Sequence, residues 1–147
     1  QIDGIRMAAT IHDLGKISVP VELLTKPTRL TKIEFDLIKT HSQAGYDILK
    51  DIDFPWPIAR MVLEHHERVD GSGYPNGRTR DQILIESRIL SVADVIEAMA
   101  SHRPYRPGRG IRAALDEIAA NRGNLYDAEA VDACLRLFNE KGYRLVD

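Results

Sequence analysis

Apolar residues recur at intervals of three or four along most of this chain, and that periodicity restricts its fold more than any other feature. Clusters of glycine and proline divide the sequence into successive segments of this kind. No window of four or more residues alternates between apolar and polar side chains as a half-buried strand does. The pattern therefore predicts an all-α fold, a bundle of about five to seven helices.

Sequence signals at several helix ends sharpen this prediction. Gly15 is expected to end the first helix as a C-terminal cap, and Asp127 is expected to begin the last one as its N-cap. Thr31 with Glu34 three residues later forms a capping-box pattern at the start of a long second helix. The expected apolar face of that helix consists of Ile33, Leu37, Ala44 and Ile48.

Length and composition exclude several classes of protein. The chain has 147 residues, which fits one domain, and its net charge of -2 argues against the basic surface that nucleic-acid binding requires. No apolar run is long enough to span a bilayer. The single cysteine, Cys134, excludes an internal disulfide and favours a reducing compartment, so we expect a cytoplasmic location. The chain begins at Gln1 in helical pattern with no initiator Met or signal peptide, which suggests a piece of a longer protein.

Metal-ligand side chains recur once per predicted helix. Successive members of this set are separated by 29, 24 and 28 residues, about one helix and one connection each time. Antiparallel helices joined by short loops return to the same level at such an interval, so these side chains are expected to converge. Nitrogen and carboxylate ligands suit divalent Mn, Fe, Zn or Mg. The members are His12, Asp13, His41, His65, His66 and Asp94.

Each member also has a purely structural interpretation when taken alone. His41 follows an apolar stripe and would serve as a core histidine, and His65 with His66 would favour the negative end of a helix dipole. Asp94 is harder to explain in this way, because it interrupts an apolar run in which an unpaired carboxylate costs several kcal/mol.

Three cations lie near these residues in the sequence. Lys16 is three residues beyond Asp13 and is either a phosphate-contacting or proton-transferring cation or a solvated lysine. Arg103 and Arg106 follow Asp94 by nine and twelve residues, so they either clamp an anionic substrate or are ordinary loop arginines.

Together these motifs resemble a known family. The run HDLGK at residues 12–16 is similar to the signature of the HD superfamily of metal-dependent phosphohydrolases. The run HHERVDGSGYP at 65–75 resembles the HD-GYP subfamily much more specifically. The runs ADV at 93–95 and SHRPYRP at 101–107 are similar to the closing motif of that subfamily. The resemblance covers essentially the whole chain, which we therefore expect to be one HD-GYP domain over residues 1–147.

The resemblance implies a bacterial phosphodiesterase that uses metal-activated water to hydrolyse cyclic di-GMP to pGpG and often to GMP. It implies two or three divalent ions, with Fe or Mn favoured and Mg, Zn or Ni as alternatives. In the family pattern Asp13 bridges two ions and, with Lys16, serves catalysis. The resemblance gives the ligand set as His12, Asp13, His41, His65, His66 and Asp94. It gives the substrate-binding set as Lys16, Arg103, Arg106, Gly73, Tyr74 and Pro75.

The chain departs from the family pattern at one point. The family has a further histidine ligand on a helix before the HD pair, whereas only eleven residues precede His12 and none is histidine. We interpret this as truncation, so the fragment alone is expected to hold metal less well and to be less active.

Three other functions remain open at this point. One is a non-catalytic HD-GYP module for protein–protein or cyclic-dinucleotide signalling, and another is an HD phosphohydrolase acting on other nucleotides. The third is a plain helical interaction domain with coincidental histidines. The resemblance also implies partners: a GGDEF-domain protein, and an upstream receiver, sensor or membrane module in the parent chain.

Overall fold

The computed structural model describes residues 1–101 and 110–145. Within them the chain is helical, and its only β-type pairings are the isolated bridges Asp70–Thr79 and Arg122–Tyr126. The predicted all-α fold is thereby confirmed. The α-helices are α1 (Ile2–Ile11), α2 (Val21–Leu24), α3 (Lys32–Lys39), α4 (His41–Leu49), α5 (Ile58–Glu64), α6 (Ile85–Ala100), α7 (Ile111–Ala120) and α8 (Ala128–Asn139), with short 3-10 helices at Leu14–Ser18 and Arg80–Gln82.

Two apolar clusters form the core, and α6 contributes to both. The first lies between α1, α4, α5 and α6 and contains Ala8, Leu49, Ile58, Met61, Val62 and Leu90. The second lies between α6, α7 and α8 and contains Val92, Ile96, Ala114, Leu115, Ile118, Tyr126 and Val131. Burial of these side chains fixes α6 against both halves of the bundle. Asp94 lies on this shared helix.

Both predicted N-terminal caps are confirmed. The Thr31 hydroxyl accepts a hydrogen bond from the Glu34 main-chain N–H, and the Glu34 carboxylate accepts one from the Thr31 N–H, which completes a capping box on α3. The Asp127 side chain accepts from the main-chain N–H groups of Glu129 and Ala130 at the start of α8.

The long second helix predicted from Thr31 is instead two helices. It breaks at Thr40, whose main-chain N–H and hydroxyl both donate to the Leu37 carbonyl, and α4 begins at His41. The expected apolar face is therefore wrong, since Ile33 is 82% exposed and Leu37 is 41% exposed. The break changes the helical phase, and it places His41 at a helix start.

We had predicted that Gly15 would cap the first helix, and this prediction is wrong. α1 ends at Ile11, and Gly15 lies buried in the following 3-10 helix. A Cβ atom on Gly15 would lie 1.9 Å from the His41 carbonyl oxygen and 2.5 Å from the Gly45 nitrogen. This glycine is therefore required by the close approach of the 3-10 helix to α4.

None of the described helices has both the length and the apolar composition that crossing a bilayer requires.

Candidate metal centre

Three histidine rings are held in the same way. His12, His41 and His65 each follow the last turn of a helix, where carbonyl oxygens lack a partner within the helix. In each ring Nδ1 donates to a carbonyl three residues earlier, at 2.7, 2.7 and 2.6 Å respectively. The accepting carbonyls belong to Ala9, Ile38 and Val62. The helix ends therefore fix both the orientation and the tautomer of these rings.

This arrangement directs Nε2 lone pairs toward a common point. A carbonyl oxygen only accepts, so the proton lies on Nδ1 and Nε2 is unprotonated in the neutral ring. The Nε2 atoms of His41 and His65 face each other at 3.3 Å. Two lone pairs at that separation repel unless a proton or a metal cation is shared between them. Histidines oriented through Nδ1 in this way are typical of metal ligands.

Asp13 reaches the same point from the turn between α1 and the 3-10 helix Leu14–Ser18. Its Oδ1 lies 3.5 Å from Nε2 of His41 and is buried without a hydrogen-bond partner among the described residues. Its Oδ2 accepts a hydrogen bond of 2.6 Å from the Lys16 ammonium. The close contact at Gly15 brings this segment against α4 and so sets the distance between Asp13 and His41.

Asp94, on α6, reaches the same group of side chains. Its Oδ1 lies 3.4 Å from Nε2 of His12, and its Oδ2 lies 3.8 Å from Nδ1 of His66. His12 Nε2 is also 3.5 Å from Oδ2 of Asp13. The structure thus brings together every side chain predicted as a metal ligand. We call this set the His–Asp cluster: His12, Asp13, His41, His65, His66 and Asp94.

The electrostatics of the cluster favour neutral histidines on its buried side. Burial lowers the pKa of His65 to about 4, and burial followed by repulsion from its neighbouring histidines lowers the pKa of His66. Burial also opposes protonation of His12, but the hydrogen bond to Asp94 and the charge of Asp13 outweigh it and raise its pKa. Burial disfavours the charged form of Asp94, yet His12 and the other histidines lower the pKa of that carboxyl.

The donor set fits a divalent cation. One ligand atom from each of Asp13, His41, His65 and His66 lies within 4.8 Å of the others. The unpartnered Asp13 Oδ1 and the facing Nε2 pair are each satisfied by a positive ion, and neutral imidazole with carboxylate is a common divalent set. Among the predicted ligands, His12 and Asp94 lie directly beside this group.

The loop that contains Gly73, Tyr74 and Pro75 lies against the cluster. The Tyr74 ring packs on His66 with centroids 4.8 Å apart and planes tilted by 31°. The Tyr74 main-chain N–H donates to the His66 carbonyl at 3.2 Å, and the Tyr74–Pro75 peptide bond is cis. Tyr74 belongs to the predicted substrate-binding set, and one neighbour of its ring is a histidine of the cluster.

Gly73 is needed in this loop for space and not for a positive φ. A Cβ atom on Gly73 would lie 2.4 Å from the Arg68 nitrogen. Positive φ angles occur instead at Gly71 and Gly77, with values of 85° and 64°. Left-handed backbone angles are therefore confined to the glycines at the two ends of this segment.

Two buried carboxylates that support this region were missed by the sequence analysis. Glu67, only 2% exposed, accepts from the main-chain N–H groups of Asn76 and Arg78 at 2.8 and 2.9 Å and so holds the loop. Glu64 is fully buried and accepts from Arg60, Arg78, Ser87 Oγ and the Leu84 N–H. Glu64 ends the apolar run Met61–Leu63, which is the same signal that drew attention to Asp94.

The three predicted cations have different outcomes. Lys16 lies at the cluster and is paired with Asp13, and its contact with a phosphate stays a prediction. Arg103 and Arg106 lie outside the described residues, so their predicted contacts with substrate are not placed by the structure.

Comparison with known proteins identifies the family of the chain. Residues 2–130 match the family described as HD domain. The chain is 46% identical over 134 residues to the cyclic di-GMP phosphodiesterase response regulator RpfG of Xanthomonas campestris pv. campestris, covering 90% of this chain and 35% of that protein. It is 43% identical over 141 residues to a cyclic di-GMP phosphodiesterase of Thermotoga maritima, covering 95% and 38% respectively.

Other similar proteins have a different named substrate or a solved structure. A 3'3'-cGAMP-specific phosphodiesterase 3 of Vibrio cholerae is 35% identical over 135 residues, which cover 92% of this chain and 29% of that protein. The chain thus spans between 29% and 38% of the length of these three relatives. The structure of Bd1817, an HDG"Y"P protein of Bdellovibrio bacteriovorus, superimposes with a TM-score of 0.69 at 16% identity, over 88% of this chain and 41% of that one. This likeness supports the fold.

Proposed function

The chain belongs to the HD domain family, and on that premise we propose that it is the catalytic domain of a metal-dependent phosphodiesterase that hydrolyses cyclic di-GMP. The observation that carries the proposal is the pair of unprotonated Nε2 atoms of His41 and His65, which face each other at 3.3 Å beside an unpartnered Asp13 oxygen. Such a site is costly in an apoprotein and suited to a cation.

The proposed ligands are the six members of the His–Asp cluster. Divalent ions bound there would supply positive charge to the phosphoryl oxygens and would acidify the attacking water. Fe and Mn are the ions we favour, in a site of two or three, with Mg, Zn or Ni as alternatives, because imidazole and carboxylate accept all of these.

The chain's own side chains would then orient the substrate. Lys16, held 2.6 Å from Asp13 Oδ2, is positioned to place an ammonium beside a phosphate oxygen at the cluster. We propose that Arg103 and Arg106 contribute in the same way, because they follow α6, which carries Asp94. The Gly73–Pro75 segment would shape the entrance, with Tyr74 fixed against His66.

The choice of substrate rests on the relatives. The proteins from Xanthomonas campestris and Thermotoga maritima are named for cyclic di-GMP, and the protein from Vibrio cholerae is named for 3'3'-cGAMP. The higher identities belong to the two named for cyclic di-GMP, so we propose that substrate. A GGDEF-domain protein and an upstream receiver or sensor module remain proposed partners.

Replacement of Asp13 by alanine tests the proposal. The intact protein, loaded anaerobically with Mn or Fe, is expected to hold metal and to convert cyclic di-GMP to pGpG or GMP. Asp13→Ala should abolish turnover and lower the bound metal, because no packed side chain replaces a ligand oxygen. Plasma mass spectrometry measures the metal, and chromatography of nucleotides measures the reaction.

The matched control is Asp116→Ala, which removes one carboxylate from the exposed surface of α7. It should leave metal content and turnover unchanged. Wild-type protein that binds metal and cyclic di-GMP without hydrolysing it would instead support the non-catalytic signalling module. Hydrolysis of other nucleotides alone would support a different HD phosphohydrolase.

A further inference from the structure

A groove of about 660 Å³ extends away from the His–Asp cluster. One wall is formed by the end of α3 and the start of α4, and the other by the loop around Tyr74. Both walls begin at the cluster, because Thr40 directly precedes His41 and the Tyr74 ring packs on His66. A substrate whose phosphate lies at the cluster therefore has this groove available for the adjoining part of the molecule.

The groove presents the chemistry of a base-binding site. Asp36 and Lys39 form an ion pair along its α3 wall, with Nζ 3.0 Å from Oδ1. The Lys39 ammonium lies 5.7 Å from the centroid of the Tyr74 ring, so the pair and the ring are neighbours. The lining carries two carboxylates, Asp36 and Asp47, against the one ammonium of Lys39, so its net charge does not favour a phosphate. The contents of the groove are therefore expected to be a hydrogen-bonding planar group and not an anion.

We propose that Asp36, Lys39 and Tyr74 form a subsite that binds a guanine base of the substrate, a proposal that rests on the function proposed above. The Watson–Crick edge of guanine presents two adjacent donors, N2–H and N1–H, followed by the acceptor O6. The Asp36 carboxylate offers two acceptor oxygens, and Lys39 places a donor beside one of them. The order of acceptors and donor along this pair matches that edge, and Tyr74 adds an aromatic face.

The same pair disfavours adenine. Adenine presents an unprotonated N1 where guanine presents N1–H, and an amino group where guanine presents O6. Asp36 would then face a lone pair and Lys39 would face another donor, so each contact changes sign. A site built to hydrogen-bond one edge rejects the other strongly, since its own polar groups are left unpaired. The subsite would thus distinguish guanine from adenine within a cyclic dinucleotide.

Asp47 is not part of this subsite although it lines the groove. Its Oδ1 accepts from the Lys50 ammonium at 3.1 Å and from the Gln43 amide at 3.4 Å, both on its own helix or next to its end. These bonds hold the Asp47 carboxylate against side chains of α4 and of its C-terminal end. Asp36 is about as exposed as Asp47, but its partner Lys39 lies 5.7 Å from the centroid of the Tyr74 ring, so Asp36 is the carboxylate beside the aromatic face of the groove.

The first test measures binding of the mononucleotides GMP and AMP to the metal-loaded protein by isothermal titration calorimetry. These probes share the phosphate and the ribose, so their ratio reports on the base alone. We expect wild type to bind GMP about tenfold more tightly than AMP, and Asp36→Asn to bring that ratio close to one. Asp132→Asn, which removes the carboxylate of a surface ion pair on α8, should retain the wild-type ratio.

Three results would overturn the subsite: no preference for GMP in wild type, an unchanged preference in Asp36→Asn, or an equal loss of GMP and AMP binding. The last result would indicate a general structural effect. Lys39→Gln provides a second variant, and it too should lower the preference for GMP while circular dichroism stays unchanged.

The second test separates this inference from the proposed function. Initial rates with cyclic di-GMP and cyclic di-AMP are measured alongside hydrolysis of bis(p-nitrophenyl) phosphate, which has no base. Asp36→Asn should raise KM for cyclic di-GMP and leave the base-free substrate within about twofold. Equal kcat/KM for cyclic di-GMP in the wild type and in Asp36→Asn would refute the subsite and leave the proposed phosphodiesterase function standing. A GMP preference that depends on Asp36 in a protein that hydrolyses no cyclic dinucleotide would refute only the phosphodiesterase.

Discussion

The two sides of the His–Asp cluster are built differently. On the α5 side, residues 58–82, Glu64, His65 and Glu67 are buried and each accepts or donates defined hydrogen bonds. On the α3 side, residues 21–39, no residue is buried. That side is held by the capping box at Thr31 and by partly exposed ion pairs such as Lys26–Glu34.

This difference suggests that the two sides have separate functions. The α5 side carries His65 and His66 and the loop that packs on them, so it must hold its geometry whatever substrate is present. The α3 side carries Asp36 and Lys39, which contribute to the proposed base subsite. Substitutions there would alter substrate preference without disturbing the cluster, since few buried contacts depend on them.

The largest difference between the two sides is expected for their carboxylates. Glu64→Gln removes the buried charge that Arg60 and Arg78 share, and should lower the free energy of unfolding by about 2–4 kcal/mol. Glu34→Gln, which breaks the partly exposed pair with Lys26, should have a far smaller effect. Urea denaturation of both variants measures this, and losses of equal size would contradict the comparison.

The second largest effect is expected from pH. In metal-free protein the pKa of His65 is lowered from 6.5 to about 4, so the unfolded chain binds more protons below pH 6.5 and stability falls as the pH falls. From pH 7 to pH 5 this residue alone should cost about 2 kcal/mol, and His66 and His41, whose pKa values are also lowered, act in the same direction. His12, whose pKa is raised, offsets part of this loss.

The α3 side should respond in a different pH window. The Lys26 ammonium lowers the pKa of Glu34 from 4.5 to about 2, so the stability from this pair is complete above pH 4.5 and is lost as the pH falls toward 2. Urea midpoints measured in EDTA from pH 7 to pH 3 separate the two windows. A flat profile between pH 7 and pH 5 would show that the buried histidines are not neutral in the fold.

The sequence was sufficient for the fold class and for the convergence of the cluster. Helical periodicity is local, and the spacing of ligand-type residues depends only on helix and loop lengths. The predictions that Gly15 caps a helix and that Ile33 lies on a buried apolar face were wrong, because both depend on packing between elements. The break at Thr40 rotates Ile33 away from the face predicted for it, and the contact with α4 makes Gly15 a spacer.

The supporting residues were harder to anticipate. Glu67 accepts from main-chain groups nine and eleven residues later, and no local pattern marks such a bond. Glu64 was detectable in principle, because a carboxylate that ends an apolar run needs partners. Its partner Arg78 lies beyond a loop that contains three glycines and Pro75, and only the folded loop brings it within reach.

The smallest effect is expected at the capping box of α3. Thr31→Ala removes the hydroxyl that accepts from the Glu34 N–H and should cost about 0.5–1 kcal/mol, whereas Thr31→Ser retains the acceptor and should cost less. Hydrogen exchange should speed up at the amides of α3 and stay unchanged at those of α5, because α3 contributes no buried side chain to the core. Since α3 carries the Asp36–Lys39 pair, the same variant should raise KM for cyclic di-GMP more than it lowers kcat. Faster exchange in α5 as well would mean that the two sides unfold together, and the proposed independence of cluster and base subsite would then be wrong.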